Sequence, residues 1–131
     1  MFSKKSIPIT SRDVNFYIEL ATNLSLDYQN QIKKLGVLGD YITNDIASDW
    51  IWKDLKTGVL QMYKQGLIHS ETLNHYIKID HMFERASYGG DLFENEIWTM
   101  HGLSNHPFWE NQRYLAKQIL NDLQEAKSKT I

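Results

Sequence analysis

Apolar residues recur at helical spacing over most of the chain, and the first such segment follows Ser11. Serine is favoured at helix N-caps because its side chain accepts a hydrogen bond from the first turn. The residues that then recur three and four positions apart are Val14, Tyr17, Ile18, Ala21 and Leu24. This period is typical of one helix face. We predict a helix from Ser11 that Ser25 kinks or restarts and that Gly36 ends.

Two further helices are predicted in the middle of the chain. One begins at Ser48 and continues to Gly66, with Ile51, Leu55, Val59 and Met62 forming its apolar stripe. The other begins at Ser70 and ends before the Gly89-Gly90 pair. Its apolar positions are Leu73, Tyr76, Ile77 and Phe83.

The last predicted helix begins at Pro107, because proline is favoured in the first turn of a helix. It has the clearest apolar face of the chain, which consists of Phe108, Trp109, Leu115, Ala116, Ile119, Leu120 and Leu123. The segment before it, between Gly89 and His106, is irregular, with a short helix expected around Glu94–Met100.

No run of alternating apolar and polar residues predicts a strand, and no proline- or glycine-rich stretch separates two domains. We therefore predict that residues 1–131 form one all-α domain, a bundle of about four to six helices. A hydrophobic fraction of 42% and a charged fraction of 23% are typical of globular proteins.

The composition also indicates the cellular compartment in which the protein is expected. The chain has no cysteine, which excludes disulfides and thiolate chemistry and suits a reducing environment. The lysines near the N-terminus precede no apolar run, so no signal peptide is predicted, and no apolar stretch approaches the roughly 18–20 residues of a membrane helix. We expect a cytoplasmic protein without a membrane partner.

The net charge of −2 hides an asymmetry along the chain. Lys4, Lys5 and Arg12 make residues 1–12 basic, whereas residues 40–98 contain ten acidic and five basic side chains. Direct binding to nucleic acid needs positive charge, and the middle of the chain has the opposite sign. A basic protein partner is the more natural expectation.

The sequence contains no motif that specifies catalysis or a cofactor. The histidines lack the spacing of a helical metal site; they are His69, His75, His81, His101 and His106. The chain has neither the strained serine turn of a hydrolase nor a phosphate-binding loop. Pairs of acids four residues apart, such as Asp45 and Asp49, are more typical of a solvated helix face. We therefore predict no catalytic residue, metal ligand or cofactor.

Two acidic stretches without a neighbouring base are the candidate partner-binding residues. The first contains Asp40, Asp45 and Asp49, and the second contains Asp91, Glu94 and Glu96. Phe93 and Trp98 interleave the second stretch, and aromatic anchors inside a polar rim are typical of protein interfaces. The alternative is that these aromatics only fold the irregular segment back onto the bundle.

The stretches EIWT (Glu96–Thr99) and HPFWENQRYLAKQIL (His106–Leu120) resemble the closing helix of several small bacterial immunity proteins. These proteins accompany polymorphic and contact-dependent growth inhibition toxins. The resemblance covers about 30 of the 131 residues and carries over no binding residue. It implies an inhibitor of a cognate toxin domain, typically a nuclease and here most naturally an RNase. The alternative from another class is a small helical enzyme or a mobile-element regulatory protein.

Overall fold

The computed structural model describes residues 9–36, 39–52 and 55–130, and only the backbone of residues 51, 52 and 55–57. The predicted basic residues Lys4 and Lys5 lie outside the described residues. So do the side chains of Ile51 and Leu55, two members of the predicted stripe. The helices are α1 (Ser11–Ser25), α2 (Tyr28–Leu35), α3 (Tyr41–Trp52), α4 (Leu55–Lys64), α5 (Ser70–Ala86), the 3-10 helix (Asn95–Trp98), α6 (Met100–Asn105) and α7 (Pro107–Lys127).

The all-α single-domain bundle is confirmed, with seven α-helices and no strand among the described residues, one helix more than predicted. The first predicted segment contains two helices, α1 and α2, and the helix predicted from Ser48 to Gly66 corresponds to parts of α3 and α4. Leu26 and Asp27 are extended, and the Asp27 carboxylate accepts a hydrogen bond from the backbone N–H of Asn30, which starts α2. Of the two outcomes expected at Ser25, a kink and a restart, the helix therefore shows the restart.

Helix α3 begins at Tyr41, so the predicted start at Ser48 is wrong. Ile42, Ile46 and Trp50 are buried and lie four residues apart, which gives the early part of α3 its own apolar face. Helix α4 begins at Leu55, and the predicted continuity from α3 falls on residues 53 and 54, outside the described residues.

Helix α7 is the centre of the bundle, where it packs against α1 and α5. Trp109 is fully buried and meets Phe83 of α5 edge to face, with ring centroids 5.7 Å apart. On the predicted apolar face of α7 every residue is buried except Leu120, which is only partly buried. Among the described residues, no helix combines the length and apolar character needed to cross a membrane.

A partly buried polar contact joins α7 to the ends of α1 and α6 and to the interior of α2. The Nε of Arg113 donates to the backbone oxygen of Leu26 (3.1 Å), and one terminal nitrogen donates to Oε1 of Gln31 (2.9 Å) and to the backbone oxygen of Leu103. Gln31 in turn donates to the backbone oxygens of Asn23 and Leu24, both at 3.1 Å. These carbonyls end α1 and α6, where no helical N–H remains to bond them. Burial lowers the pKa of Arg113 from its usual value.

The unequal burial of two neighbours on α7 gives a direct test of the packing. We expect Ile119→Ala to lower the free energy of unfolding by about 2–5 kcal/mol, because it leaves a cavity in the core. Leu120→Ala should cost clearly less, because its side chain is partly solvated already. Urea denaturation of both variants measures this, and equal losses would contradict the described orientation of α7.

We expect Arg113→Lys to lower the free energy of unfolding by about 1.5–3 kcal/mol, the range for hydrogen bonds that involve a charged group. Lysine keeps the charge but lacks the planar fork that reaches Leu26, Gln31 and Leu103 together. Arg12→Lys, on the exposed surface of α1, is the matched control and should change the free energy little. Two variants of equal stability would show that this contact does not hold the helices together.

Candidate functional site

An open groove of about 470 Å³ lies between α3 and the segment that links α5 to α6. Asn44, Ala47 and Ser48 of α3 line one wall. The opposite wall consists of Ser87, Tyr88, Phe93, Asn95 and Trp98. The groove therefore joins two parts of the chain about forty residues apart, each of which contains one of the predicted acidic stretches.

Trp98 fixes the second wall to the bundle. Its indole N–H donates to the backbone oxygen of Ala86 at 2.9 Å, and its ring meets that of Trp109 edge to face at 5.9 Å. Gly102 of α6 allows the preceding 3-10 helix to lie close to α6, because a Cβ at this position would lie 1.7 Å from the backbone oxygen of Glu96. Trp98 thus folds the segment back onto the core and lines the groove as well, so the two readings of this residue are compatible.

Tyr88 and Phe93 form the outer part of the same wall. Their rings meet edge to face with centroids 5.4 Å apart, yet 91% of Tyr88 is exposed. Aromatic side chains contribute most to binding when a partner removes their remaining contact with water. This pair is therefore the most accessible aromatic surface of the groove.

The three acids of the second stretch each contact a basic side chain from outside that stretch. Arg85 binds Asp91 through two hydrogen bonds of 3.0 and 2.7 Å, which lower the pKa of the Asp91 carboxyl and raise that of the Arg85 guanidinium. Glu96 contacts Nδ1 of His101. Folding thus brings a basic side chain to each of these acids, although the acidic stretch itself contains no base.

Glu94 contacts Nε2 of His106 at 3.2 Å. The other ring nitrogen of His106 accepts a hydrogen bond from the backbone N–H of Phe108 at 3.0 Å, where it caps α7. A nitrogen that accepts carries no hydrogen, so the neutral ring donates to Glu94 from Nε2. The cap of α7 therefore leaves Nε2 as the ring nitrogen that can donate to the Glu94 carboxylate.

The first stretch divides between two roles. Asp40 precedes α3, and its carboxylate accepts a hydrogen bond from the backbone N–H of Met100 at 2.7 Å, so it ties α3 to the start of α6. Asp45 and Asp49 lie within α3, beside the groove-lining Asn44 and Ser48. Asp45 is exposed and Asp49 is partly buried. The structure thus gives Asp40 a positioning role and leaves Asp45 and Asp49 next to the groove.

A second cleft, of about 390 Å³, contains a histidine–aspartate pair. Asp122 of α7 is buried and accepts hydrogen bonds from the backbone N–H of His69 (2.9 Å) and the Thr72 hydroxyl (2.6 Å), and it contacts Nδ1 of His69 at 2.9 Å. Burial acts to raise the pKa of Asp122, but these hydrogen bonds outweigh it and the pKa is lowered. Asp122 therefore caps the N-terminus of α5. In the described part of the chain, no three His, Asp or Glu side chains are grouped so as to hold a metal ion.

Sequence reasoning missed the polar residues that line the two walls of the groove: Asn44, Ser48, Ser87 and Asn95. Asparagine and serine at these positions look like ordinary surface residues, and only the packing of α3 against the 3-10 helix brings them together. No signal in the one-dimensional pattern could have identified them.

No family model matches the chain, and neither a curated protein nor a solved structure is significantly similar to it. What the protein does must therefore be argued from its own surface and chemistry.

We expect Asp122→Asn to lower the free energy of unfolding by about 1–3 kcal/mol at pH 7, because it removes the negative charge that strengthens the hydrogen bonds from His69 and Thr72 and replaces one acceptor oxygen by a donor. The folded pKa of Asp122 lies below that of the unfolded chain, about 3.9. The ionised carboxylate therefore stabilises the fold above this pH, and the gain disappears as the pH falls through the lowered pKa.

The free energies of unfolding of the parent and of Asp122→Asn, measured by urea denaturation, should accordingly approach each other as the pH falls from 5 to 2. Glu125→Gln, an exposed residue of the same cleft, is the control and should change little. A constant difference across this range would mean that the charge of Asp122 contributes nothing to stability.

Proposed function

We propose that this protein is an immunity protein that binds a cognate bacterial toxin domain, a basic nuclease and most naturally an RNase, and neutralises it. The observation that carries the proposal is the groove: two acidic segments meet around the exposed Tyr88 and the partly buried Phe93 and Trp98. Such a surface is suited to a basic protein and unsuited to nucleic acid itself.

The charge around the groove supports a basic partner. Residues 39–52 and 85–106 contain six carboxylates, and Arg85 is their only lysine or arginine. The active surface of a nuclease is positively charged because it must hold phosphates. Carboxylates placed opposite that surface would occupy the positions of the phosphates and speed association with the toxin.

The residues that resemble immunity proteins belong to the packed helices and not to the proposed interface. Within His106–Leu120, Trp109 and Ala116 are buried, and Arg113 bonds the ends of α1 and α6. The resemblance therefore agrees with a binding surface that lies elsewhere, as the groove does. The proposal places the protein in the cytoplasm, where it would meet a toxin that has entered the cell.

A second candidate, a small helical enzyme, has one observation in its favour. Nδ1 of the exposed His69 contacts the buried Asp122, an arrangement that can orient an imidazole as a general base. The same carboxylate already caps α5, however, and this cap alone accounts for its position. The groove is the better supported site.

The proposal predicts a toxin gene next to the gene for this protein, and the domain it encodes is the partner for the decisive test. We expect Asp91→Ala, Glu94→Ala and Glu96→Ala together to weaken its binding at least tenfold, which corresponds to about 1.4 kcal/mol. The physical reason is the loss of three negative charges beside the groove. Calorimetric titration measures the affinity, and an assay of RNA cleavage by the toxin measures neutralisation.

The matched control removes three exposed acids away from the groove: Glu71, Glu110 and Glu125. It changes the net charge equally and should leave affinity within about threefold of the parent, since distant surface charges act weakly at physiological salt. Melting temperatures verify that both triple variants are folded. Equal affinity of the two variants, or a toxin that the parent does not bind, would contradict the proposal.

A further inference from the structure

The polar side chains of the groove present acceptors to whatever enters it. The Ser48 hydroxyl donates its hydrogen to the backbone oxygen of Asp45 (3.1 Å), and the Ser87 hydroxyl donates to that of Phe83 (2.7 Å). A hydroxyl has one hydrogen and two lone pairs. Both serine oxygens can therefore only accept a further hydrogen bond from a ligand in the groove.

Asn44 and Asn95 stand on opposite walls, and their side-chain amides have no hydrogen-bond partner within the described parts of the chain. Each amide oxygen is an acceptor with two lone pairs. Together with the serines, these side chains surround the groove with four acceptor oxygens whose capacity is not satisfied by the protein.

The remaining lining is aromatic or apolar and the surroundings are acidic. Tyr88, Phe93 and Trp98 supply ring surface, Ala47 forms part of the floor, and carboxylates follow closely in both segments. Ring faces attract cations, and neighbouring carboxylates lower the free energy of a positive group in the groove. The Asn44 and Asn95 amides also carry N–H donors, but the acceptor oxygens, ring faces and negative charge together favour a flat cation that donates hydrogen bonds.

We propose that the groove binds an arginine side chain of the partner protein, with the guanidinium against the aromatic wall and its N–H groups directed to the acceptors. This inference rests on the proposed function and specifies the part of the toxin that is recognised. Arginine fits better than lysine because its planar group has five donors, stacks on rings and is more weakly hydrated. Lysine is a compact, strongly hydrated charge that benefits less from an aromatic wall.

The test uses a probe that is independent of the toxin. A capped hexapeptide of alternating glycine and arginine is titrated into the isotope-labelled full chain and followed by NMR, with the glycine–lysine peptide as comparison. We expect shifts centred on residues 44–48 and 87–98, and at least fivefold weaker binding of the lysine peptide. Shifts centred elsewhere, or equal affinity for the two peptides, would overturn the inference.

Two pairs of variants locate the binding. Asn44→Lys places a positive charge in the groove and should lower the affinity for the arginine peptide at least tenfold. Asn15 is an exposed asparagine of α1, and Asn15→Lys should leave this affinity within twofold of the parent's. Tyr88→Ala should weaken it at least threefold, whereas Tyr114→Ala, an exposed tyrosine of α7, should not. An Asn44→Lys variant that is folded and binds like the parent overturns the inference.

These results separate the inference from the proposed function. If the triple acidic variant loses the toxin while the arginine peptide does not bind the groove, the inference fails and the function stands. If the peptide binds as expected while the parent does not bind the toxin, the function fails instead. Sedimentation equilibrium tests whether a second copy of the chain occupies the groove instead. A concentration-dependent dimer that Asn44→Lys abolishes would assign the groove to that second copy and overturn the inference.

Discussion

The contact between Arg113 and Gln31 is the interaction on which the arrangement of the helices depends. Helices α1 and α6 end against α7, and their last carbonyls lie where water cannot readily bond them. A buried carbonyl without a partner costs free energy, so these ends can pack together only if a donor reaches all of them. Arg113 and Gln31 supply five hydrogen bonds to this junction, and four of them end on backbone oxygens.

The groove follows from this junction through a chain of contacts. Once α6 is fixed at its end by Arg113, its start lies beside α3, where Asp40 accepts the N–H of Met100. Gly102 then allows the 3-10 helix to lie against α6, and Trp98 bonds the end of α5. The walls of the groove are thus positioned by backbone contacts at helix ends. Tyr88 can remain exposed because Trp98, and not Tyr88, ties this wall to the bundle.

Helix existence could be predicted from the sequence because it depends on spacing within one segment. The starts at Ser11, Ser70 and Pro107 match the structure, since each begins a local apolar period. The position Ser25 could be identified as a kink or a restart without a choice between the two, and the start at Tyr41 was missed, because the competing signals were weak individually. Even less of the candidate site could be predicted from the sequence. Phe93 and Trp98 could be selected as aromatics in an irregular segment, but their pairing with α3 depends on long-range packing.

Hydrogen–deuterium exchange of the full chain, with and without the cognate toxin domain that the proposed function requires, tests the central claim most directly. A partner seated in the groove would slow exchange in residues 41–50 and 87–98, the two segments that form its walls. Exchange near residues 69–75 and 118–125, which surround the second cleft, should not change. Protection confined to that second cleft, with the groove segments exchanging as in the free protein, would contradict the account.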